Sequence, residues 1–506
     1  MLDVLVVNPN SRKAVYQSLG TGLVAVEPPI WAGLIAAYVR KRGRGVEILD
    51  AEVEALGADD AAKRAASSGA RLAAVTVYGH QPSASTQTMT AAGAFCRALK
   101  EAAPQMKVII LGGHVAALPE RTLREEAVDY VCDGEGPATV AALTEALADG
   151  SLEPSKIPDL WYRDGEGNPA RSKASSPLIA DLDAELPGMA WDLLPMDKYR
   201  AHNWHCFGEP SRQPYASLYT TLGCPYHCTF CCIQSPFRVG ERASGVKETV
   251  NSYRYWSPKA VLDELELLVT RYGVRHVKFA DEMFVLNPKH VEGVCQGIID
   301  RGLSLNIWSY ARIDSVRPGW SELLKKAGVN WLAFGIETAD EGVGEDVNKG
   351  FTLSDVHATV ARVREAGINV IGNYIFGLPE DTHATMQATL DMAIDLNCEF
   401  ANFYCTMAYP GSELYRLAVQ RGWPLPPTWT GYSQHSADML PLPTRTLPAA
   451  EVIRFRDAAF EKHFSGRRYL DMVERRFGAS VVAEVRAMAG HRLERHHAAG
   501  SGPLLA

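Results

Sequence analysis

The feature that most constrains the fold is an alternation of short apolar strands with amphipathic helices, repeated in two blocks with a looser stretch between them. In the first block the pattern predicts strands at residues 3–7, 45–49, 72–77, 107–111 and 128–131, with helices around 30–42, 86–102, 120–126 and 138–148. Strand-then-helix repetition specifies a parallel, doubly wound sheet whose ligand crevice lies beyond the carboxyl ends of the strands. The loops expected at that edge are Asn8-Pro9-Asn10-Ser11, Thr76-Val77-Tyr78-Gly79-His80, Gly112-Gly113-His114 and Gly134-Glu135-Gly136.

From Pro154 to Pro214 the alternation gives way to Pro, Gly and Ser punctuation around Trp161, Trp191 and Trp204. A solvated tether would lack the tryptophans, so this reads as a linker packed against both neighbours. The second block starts near Tyr215 and predicts strands at 216–220, 276–280, 305–311, 331–336, 369–376 and 400–407. Its first helix is bounded by Ser257 as N-cap, Pro258 in the first turn and Gly273 as terminator, and further helices are expected at 320–327, 353–366 and 382–396. Six such units predict a partial TIM-like (β/α)6 barrel, with functional residues at the carboxyl ends of its strands.

A chain of 506 residues exceeds one ordinary core. The α/β division expected is a Rossmann- or flavodoxin-like domain over 1–150, a linker over 151–214, the barrel over 215–420, and a C-terminal strap with helices over 421–506. An apolar fraction of 47% with 22% charged residues is that of a soluble globular protein. The net charge of -8 and the lack of a basic stripe argue against a nucleic-acid partner. No apolar run reaches the ~18 residues of a membrane span, and residues 1–9 lack the basic start of a signal peptide. The cysteines form no disulfide-rich framework, so a reducing cytoplasm is expected.

Four of the ten cysteines fall in nine positions: Cys224, Cys228, Cys231 and Cys232. Three thiolates separated by three and then two residues can hold three corners of a 4Fe-4S cluster and leave one iron open for chemistry. A zinc site needs a second ligand pair downstream, which this sequence lacks.

With Phe230 just before the third cysteine, this spacing resembles the signature of the radical AdoMet (radical SAM) superfamily. The resemblance implies that Cys224, Cys228 and Cys231 ligate the cluster, with Cys232 a neighbour in its shell. In that family AdoMet chelates the open iron, and reduction yields a 5'-deoxyadenosyl radical. It also implies AdoMet contacts for Phe230, for Asp281 and Glu282 at the ammonium, Arg312 at the carboxylate, Glu337 at the ribose and Ile375 beside the adenine. Singly, these residues could equally be helix caps or ion pairs. The order of the first block, with its Gly112-Gly113-His114 and Gly134-Glu135 loops, is similar to the cobalamin-binding domain of many such enzymes. Cobalamin contacts are then expected from Asn10, Ser11, Tyr78, Gly112, Gly113, His114, Gly134 and Glu135. No Asp-x-His-x-x-Gly run is present to supply a histidine to cobalt, and a domain that has kept the shape but lost the cofactor is the alternative.

Trp423 to His435 is rich in proline and aromatics. It either folds over the barrel mouth, with Tyr432, Gln434 and His435 touching substrate, or straps the barrel's outside. No acid–base or nucleophilic catalytic residue is assigned. The chain resembles radical SAM members of sugar and aminoglycoside pathways, which implies a small, hydroxyl-rich substrate and a flavodoxin- or ferredoxin-type electron donor. Cobalamin-dependent C-methylation is the favoured reaction, radical dehydration of a sugar diol the runner-up, and a non-catalytic cobalamin or redox sensor the third reading.

Overall fold

The structure, a computed structural model, describes all residues except Met1, His80, Ser501, Pro503 and Ala506, with the backbone alone at Thr21. The first sheet contains β1 (Val4–Asn8), β2 (Val46–Asp50), β3 (Leu72–Thr76), β4 (Lys107–Leu111), β5 (Tyr130–Cys132), β6 (Leu160–Arg163) and β7 (Pro169–Arg171). Its order is β2-β1-β3-β4-β5-β6-β7. The first five strands are parallel, and β6 and β7 add antiparallel at the edge. The central strands read as continuous apolar runs because helices cover both faces; Leu72, Ala73, Ala74 and Val75 are all fully buried.

The edge hairpin corrects the expected division. Residues 160–171, assigned from sequence to the linker, belong to the first sheet: Tyr130 of β5 pairs with Tyr162, and Trp161 Nε1 donates to Asp133 at 2.7 Å. Strands of four and three residues give too short a pattern to separate from loop by periodicity. A helix at Ala58–Ser67 and another at Pro288–Asp300 were also not anticipated.

Two short strands, β9 (Thr221–Leu222) and β10 (Arg254–Tyr255), pair antiparallel beside the second sheet. That sheet is formed by β8 (Tyr215–Leu218), β11 (His276–Phe279), β12 (Asn306–Ala311), β13 (Val329–Glu337), β14 (Asn369–Phe376) and β15 (Phe400–Cys405). Its six strands run parallel in the order β15-β14-β13-β12-β11-β8, so the barrel is open between its first and last strands. The helices between them have explicit stops and starts. Ser257 Oγ caps Pro258–Tyr272, which ends on Gly273 in the left-handed region, and Thr352 with Asp355 forms a capping box at Leu353–Glu365.

Three helices, Ala449–Phe464, Arg467–Phe477 and Ala479–Ala489, close the chain. One apolar core runs from β1 through the barrel strands to these helices. Polar ties reinforce it: Arg254 Nη2 donates to Glu135 Oε1 at 2.6 Å, and Trp191 Nε1 to Glu264 at 2.7 Å. Among the described residues no helix is long and apolar enough to cross a membrane.

Candidate active site between the barrel and the first domain

The loop after β9 is shaped by its neighbours. Gly223 takes φ +83°, a conformation that L side chains rarely adopt. Cys231 N donates to the Cys228 carbonyl at 3.0 Å, and Cys224 N to Gln234 Oε1 at 3.3 Å. Three other segments grip the loop from outside. Asn251 Nδ2 donates to the Tyr226 carbonyl at 2.6 Å, Asn348 Nδ2 to that of His227 at 3.0 Å, and Leu414 N to that of Thr229 at 2.8 Å.

Cys224, Cys228 and Cys231 are part-exposed, and all three line a cavity of about 280 Å³. No three His, Cys, Asp or Glu side chains among the described residues converge tightly enough to hold a metal ion. The thiols are instead spread around a cavity wall. Burial pushes the Cys224 thiol up to about 12 and that of Cys231 well above its ordinary range. Metal loading must therefore draw protons from both.

The strand ends supply the rest of that wall: Phe230, Glu282, Arg312, Glu337 and Ile375 share the cavity with the cysteines. Arg312 is 7% exposed, lies 3.8 Å over the Tyr226 ring, donates to Asp314 at 3.0 and 3.1 Å, and brings Nη1 to 3.8 Å from Cys228 Sγ. The arginine is thus ion-paired and also faces the thiols. Glu337 has φ +66° at a register shift between β13 and β14, a strained position of the kind that clusters at functional sites.

Asp281 departs from expectation. It is fully buried and accepts hydrogen bonds from Thr220 N at 2.6 Å, Thr221 N at 2.7 Å and Thr220 Oγ1 at 2.5 Å. Its carboxylate is spent on shaping the turn into the cysteine loop, which leaves Glu282 as the member of this pair that lines the cavity. Burial pushes the Glu282 carboxyl up to about 7, with Lys278 pulling it down and Asp281 adding to the rise. It is thus neutral below that pH and charged above it. AdoMet affinity is expected to increase between about pH 6 and 8 as the carboxylate forms opposite a cationic ligand. Equilibrium dialysis with labelled AdoMet checks this, and Glu282→Gln should flatten the profile.

Lys349 was missed from sequence. Its Nζ lies 3.0 Å from Glu337 Oε1 and 3.1 Å from the Gly335 carbonyl, it lines the same cavity, and both side chains are 8% exposed. A lone lysine in a loop carries no spacing signal. Lys349→Met should strand the Glu337 carboxylate, costing about 3–5 kcal/mol, read as a lower melting temperature together with weaker AdoMet binding.

The first domain reaches the cavity through Gln81, Pro82, Ser83 and Gln87. Of the residues expected at cobalamin, Tyr78 and Gly113 line a smaller gap of about 30 Å³ shared with Cys232 and Glu282. Tyr78 stacks on Trp31 at 4.4 Å and donates to the Glu135 carbonyl at 2.7 Å. A Cβ on Gly112 would lie 1.9 Å from the Val77 carbonyl, so this glycine permits close strand packing. Gly134 is pressed against Asp159, and the Glu135 carboxylate is taken by Arg254. Asn10 Nδ2 donates to the Leu56 carbonyl in the loop after β2 at 3.1 Å, and neither it nor the buried Ser11 lines the cavity. His114 is turned inward: it is 2% exposed, pairs with Thr86 Oγ1 at 3.2 Å and meets the edge of Trp429 at 4.4 Å. Burial pulls its pKa down to about 3. His80 lies outside the described residues.

The 423–435 segment runs between the domains and does not strap the barrel's outside. Gln17 Nε2 donates to the His435 carbonyl at 2.6 Å, and Gln434 bonds the Cys405 peptide on both sides at 2.8 Å. Gln434 borders the cavity, His435 lines a second one behind it, and Tyr432 is buried away from both.

Residues 218–393 match the radical SAM superfamily, and residues 19–144 match the B12 binding domain. The chain thus contains both a radical SAM domain and a B12-binding domain. An uncharacterised methyltransferase of Pyrococcus horikoshii is 29% identical over 434 residues, 86% of either chain. The anaerobic magnesium-protoporphyrin IX monomethyl ester cyclase of Rubrivivax gelatinosus is 25% identical over 82% of this chain and 70% of its own. The fold is shared with the radical S-adenosylmethionine methyltransferase TsrM from Kitasatospora setae, solved with cobalamin and a 4Fe-4S cluster. That match has 19% identity and a TM-score of 0.63, and covers 83% of this chain and 76% of that one. The cofactors of this radical SAM enzyme are accordingly a 4Fe-4S cluster, AdoMet and cobalamin.

The radical SAM residues fit these groups. Cys224, Cys228 and Cys231, at their three-and-two spacing on one cavity wall, suit an iron–sulfur cube with one free corner, with Cys232 as a neighbour outside that spacing. Gln81, Pro82, Ser83 and Gln87 of the first domain line the same cavity as Cys231, Cys232 and Ile233 of the barrel.

Proposed function

We propose that the protein is a cobalamin-dependent C-methyltransferase acting on a small, sugar- or aminoglycoside-like molecule. The observation that carries this reading is a single cavity walled by the cluster thiols, the barrel's strand ends and the crevice edge of the first domain. When bound, the reduced cluster with AdoMet supplies hydrogen-atom abstraction, and cobalamin supplies a transferable methyl group.

The chain's own residues hold and shield these groups. Cys224, Cys228 and Cys231 take the cluster, Glu282 offers a carboxylate to an ammonium, and the buried Arg312 fork sits beside Cys228 to meet a carboxylate. Glu337, held by Lys349, faces hydroxyls, and Phe230 and Ile375 offer apolar surface to a base. Gln81 to Gln87 and the 423–435 segment close the space between the domains against water, as a reactive carbon centre requires. The methyltransferase named among the relatives supports the reaction. A flavodoxin- or ferredoxin-type donor in the cytoplasm would approach by a surface groove beside Cys228, Cys231, Arg238 and Arg416.

The test is anaerobic reconstitution with iron, sulfide and hydroxocobalamin, followed by AdoMet and dithionite. Bound corrinoid bands, 5'-deoxyadenosine and transfer of label from methyl-labelled AdoMet to an amino-sugar acceptor are expected. A dehydrated product without methyl transfer would replace the reading by radical dehydration, and no AdoMet turnover would leave a sensor.

A further inference from the structure

Behind the cysteine-lined cavity lies a second of about 200 Å³, and Tyr310, Asn373, Tyr404 and Gln434 form a wall common to both. Every part of the chain helps enclose it: Tyr16 and Glu27 from the first domain, His202 from the linking segment, Lys278 and Trp308 from the barrel, and Arg456 from the C-terminal helices. Nothing in the family's cluster or AdoMet chemistry requires these residues.

Two properties of the chamber bear on its occupant. First, it carries a buried ion pair: Lys278 Nζ lies 3.1 and 3.3 Å from the Glu27 carboxylate, with side-chain exposures of 3% and 4%. His202 Nε2 is 3.7 Å from Glu27, and Lys278 lies 5.0 Å over the Trp308 ring. An apolar plug of the same volume would be at least as stable as such a pair, so the charges suit recognition better than support. Second, three amide side chains line it, those of Asn203, Asn373 and Asn402, with Asn402 Nδ2 donating to Asn373 Oδ1 at 2.9 Å.

An occupant must therefore exchange hydrogen bonds with amide and ammonium groups and donate to a carboxylate. It must also present an apolar face to Trp204, Trp308, Phe400 and Phe403. Hydroxyl and amino groups on a saturated ring satisfy all of this, because hydroxyls donate and accept while the ring's C–H face lies on aromatic surface. The volume is below the ~300–1,000 Å³ of drug-sized sites, which limits the occupant to one compact ring. We propose that this inner chamber binds the acceptor ring of the substrate, an amino-bearing polyhydroxylated ring, with Glu27 and Lys278 reading its polar groups and Asn402 its inner edge. This deepens the function proposed above and rests on it for the reaction.

The probe is binding without turnover. Holoenzyme reconstituted anaerobically is dialysed against labelled D-glucosamine, 2-deoxystreptamine and L-tryptophan in parallel. Saturable binding of at least one of the first two, with no more than a tenth of that affinity for tryptophan, is expected. Lys278→Met should abolish this binding. Because that change disturbs a buried pair, the milder Asn402→Leu is measured beside it and should weaken binding at least tenfold, with iron content and AdoMet affinity unchanged. Preferential binding of tryptophan, binding by neither ring, or ring binding that persists in Asn402→Leu would overturn the assignment. Ring binding without methyl transfer would instead count against the proposed reaction and leave the chamber assignment standing.

Discussion

Cys228→Ala should leave a protein that folds but neither retains a full complement of iron nor forms 5'-deoxyadenosine. Of the spaced trio only Cys224 and Cys231 would remain on the cavity wall, beside Cys232, which lies outside the spacing, too few to hold a cube that also needs one iron free. Arg312 would lose the sulfur 3.8 Å from its Nη1 and keep Asp314, so the barrel should be spared. The expected fall in 5'-deoxyadenosine formation exceeds about a thousand-fold, some 4 kcal/mol of barrier. Cys232→Ala is the matched control, since Cys232 lies outside the three-thiol spacing and should keep its iron. Iron analysis and product chromatography read both variants. A Cys228→Ala protein with wild-type iron and product would remove the ligand assignment.

Gly223→Ala is expected to be nearly as damaging through structure alone. A Cβ at this position would sit 2.3 Å from the Ser252 carbonyl oxygen, with φ at +83°. The left-handed conformation costs an L residue roughly 1–2 kcal/mol. The clash is worse because Ser252 cannot retreat: its N–H donates to Glu241 Oε1 at 2.7 Å, and Gln234 Nε2 donates to its carbonyl at 3.1 Å. That same glutamine holds Cys224 N, so displacement would reach the first thiol. The variant should melt several degrees lower and load less iron. Gly245→Ala, with φ +71° and open space around its Cβ, carries the conformational cost without the clash and should load iron normally. Equal behaviour of the two variants would show that the contact with Ser252 has no consequence.

The parts of this fold that could be read from sequence are those where a local pattern is the cause. β4 and β14 fall where expected, at Lys107–Leu111 and Asn369–Phe376, because each is an apolar run between turn residues. The helix at Ala58–Ser67 escaped because alanines punctuated by Asp and Lys give no broad apolar stripe. At the site, the cysteines and most strand-end residues converge as their positions imply. Asp281 does not, because its partners are backbone amides of Thr220 and Thr221, which side-chain chemistry cannot reveal in advance. Glu27 and Lys278 are 251 residues apart, and Lys349 reaches Glu337 from beyond a helix, so only the fold brings these pairs together.

The grip that Asn251, Asn348 and Leu414 keep on the cysteine loop acts on peptide groups, with one long contact of 4.0 Å from Cys228 Sγ to the Asn348 carbonyl. The mould for the metal should thus hold its shape before loading and after loss, unlike small zinc domains that unravel when stripped. Air that destroys the inorganic core would then leave an intact receptacle, and repair would need only fresh iron and sulfide, without passage through an unfolded chain.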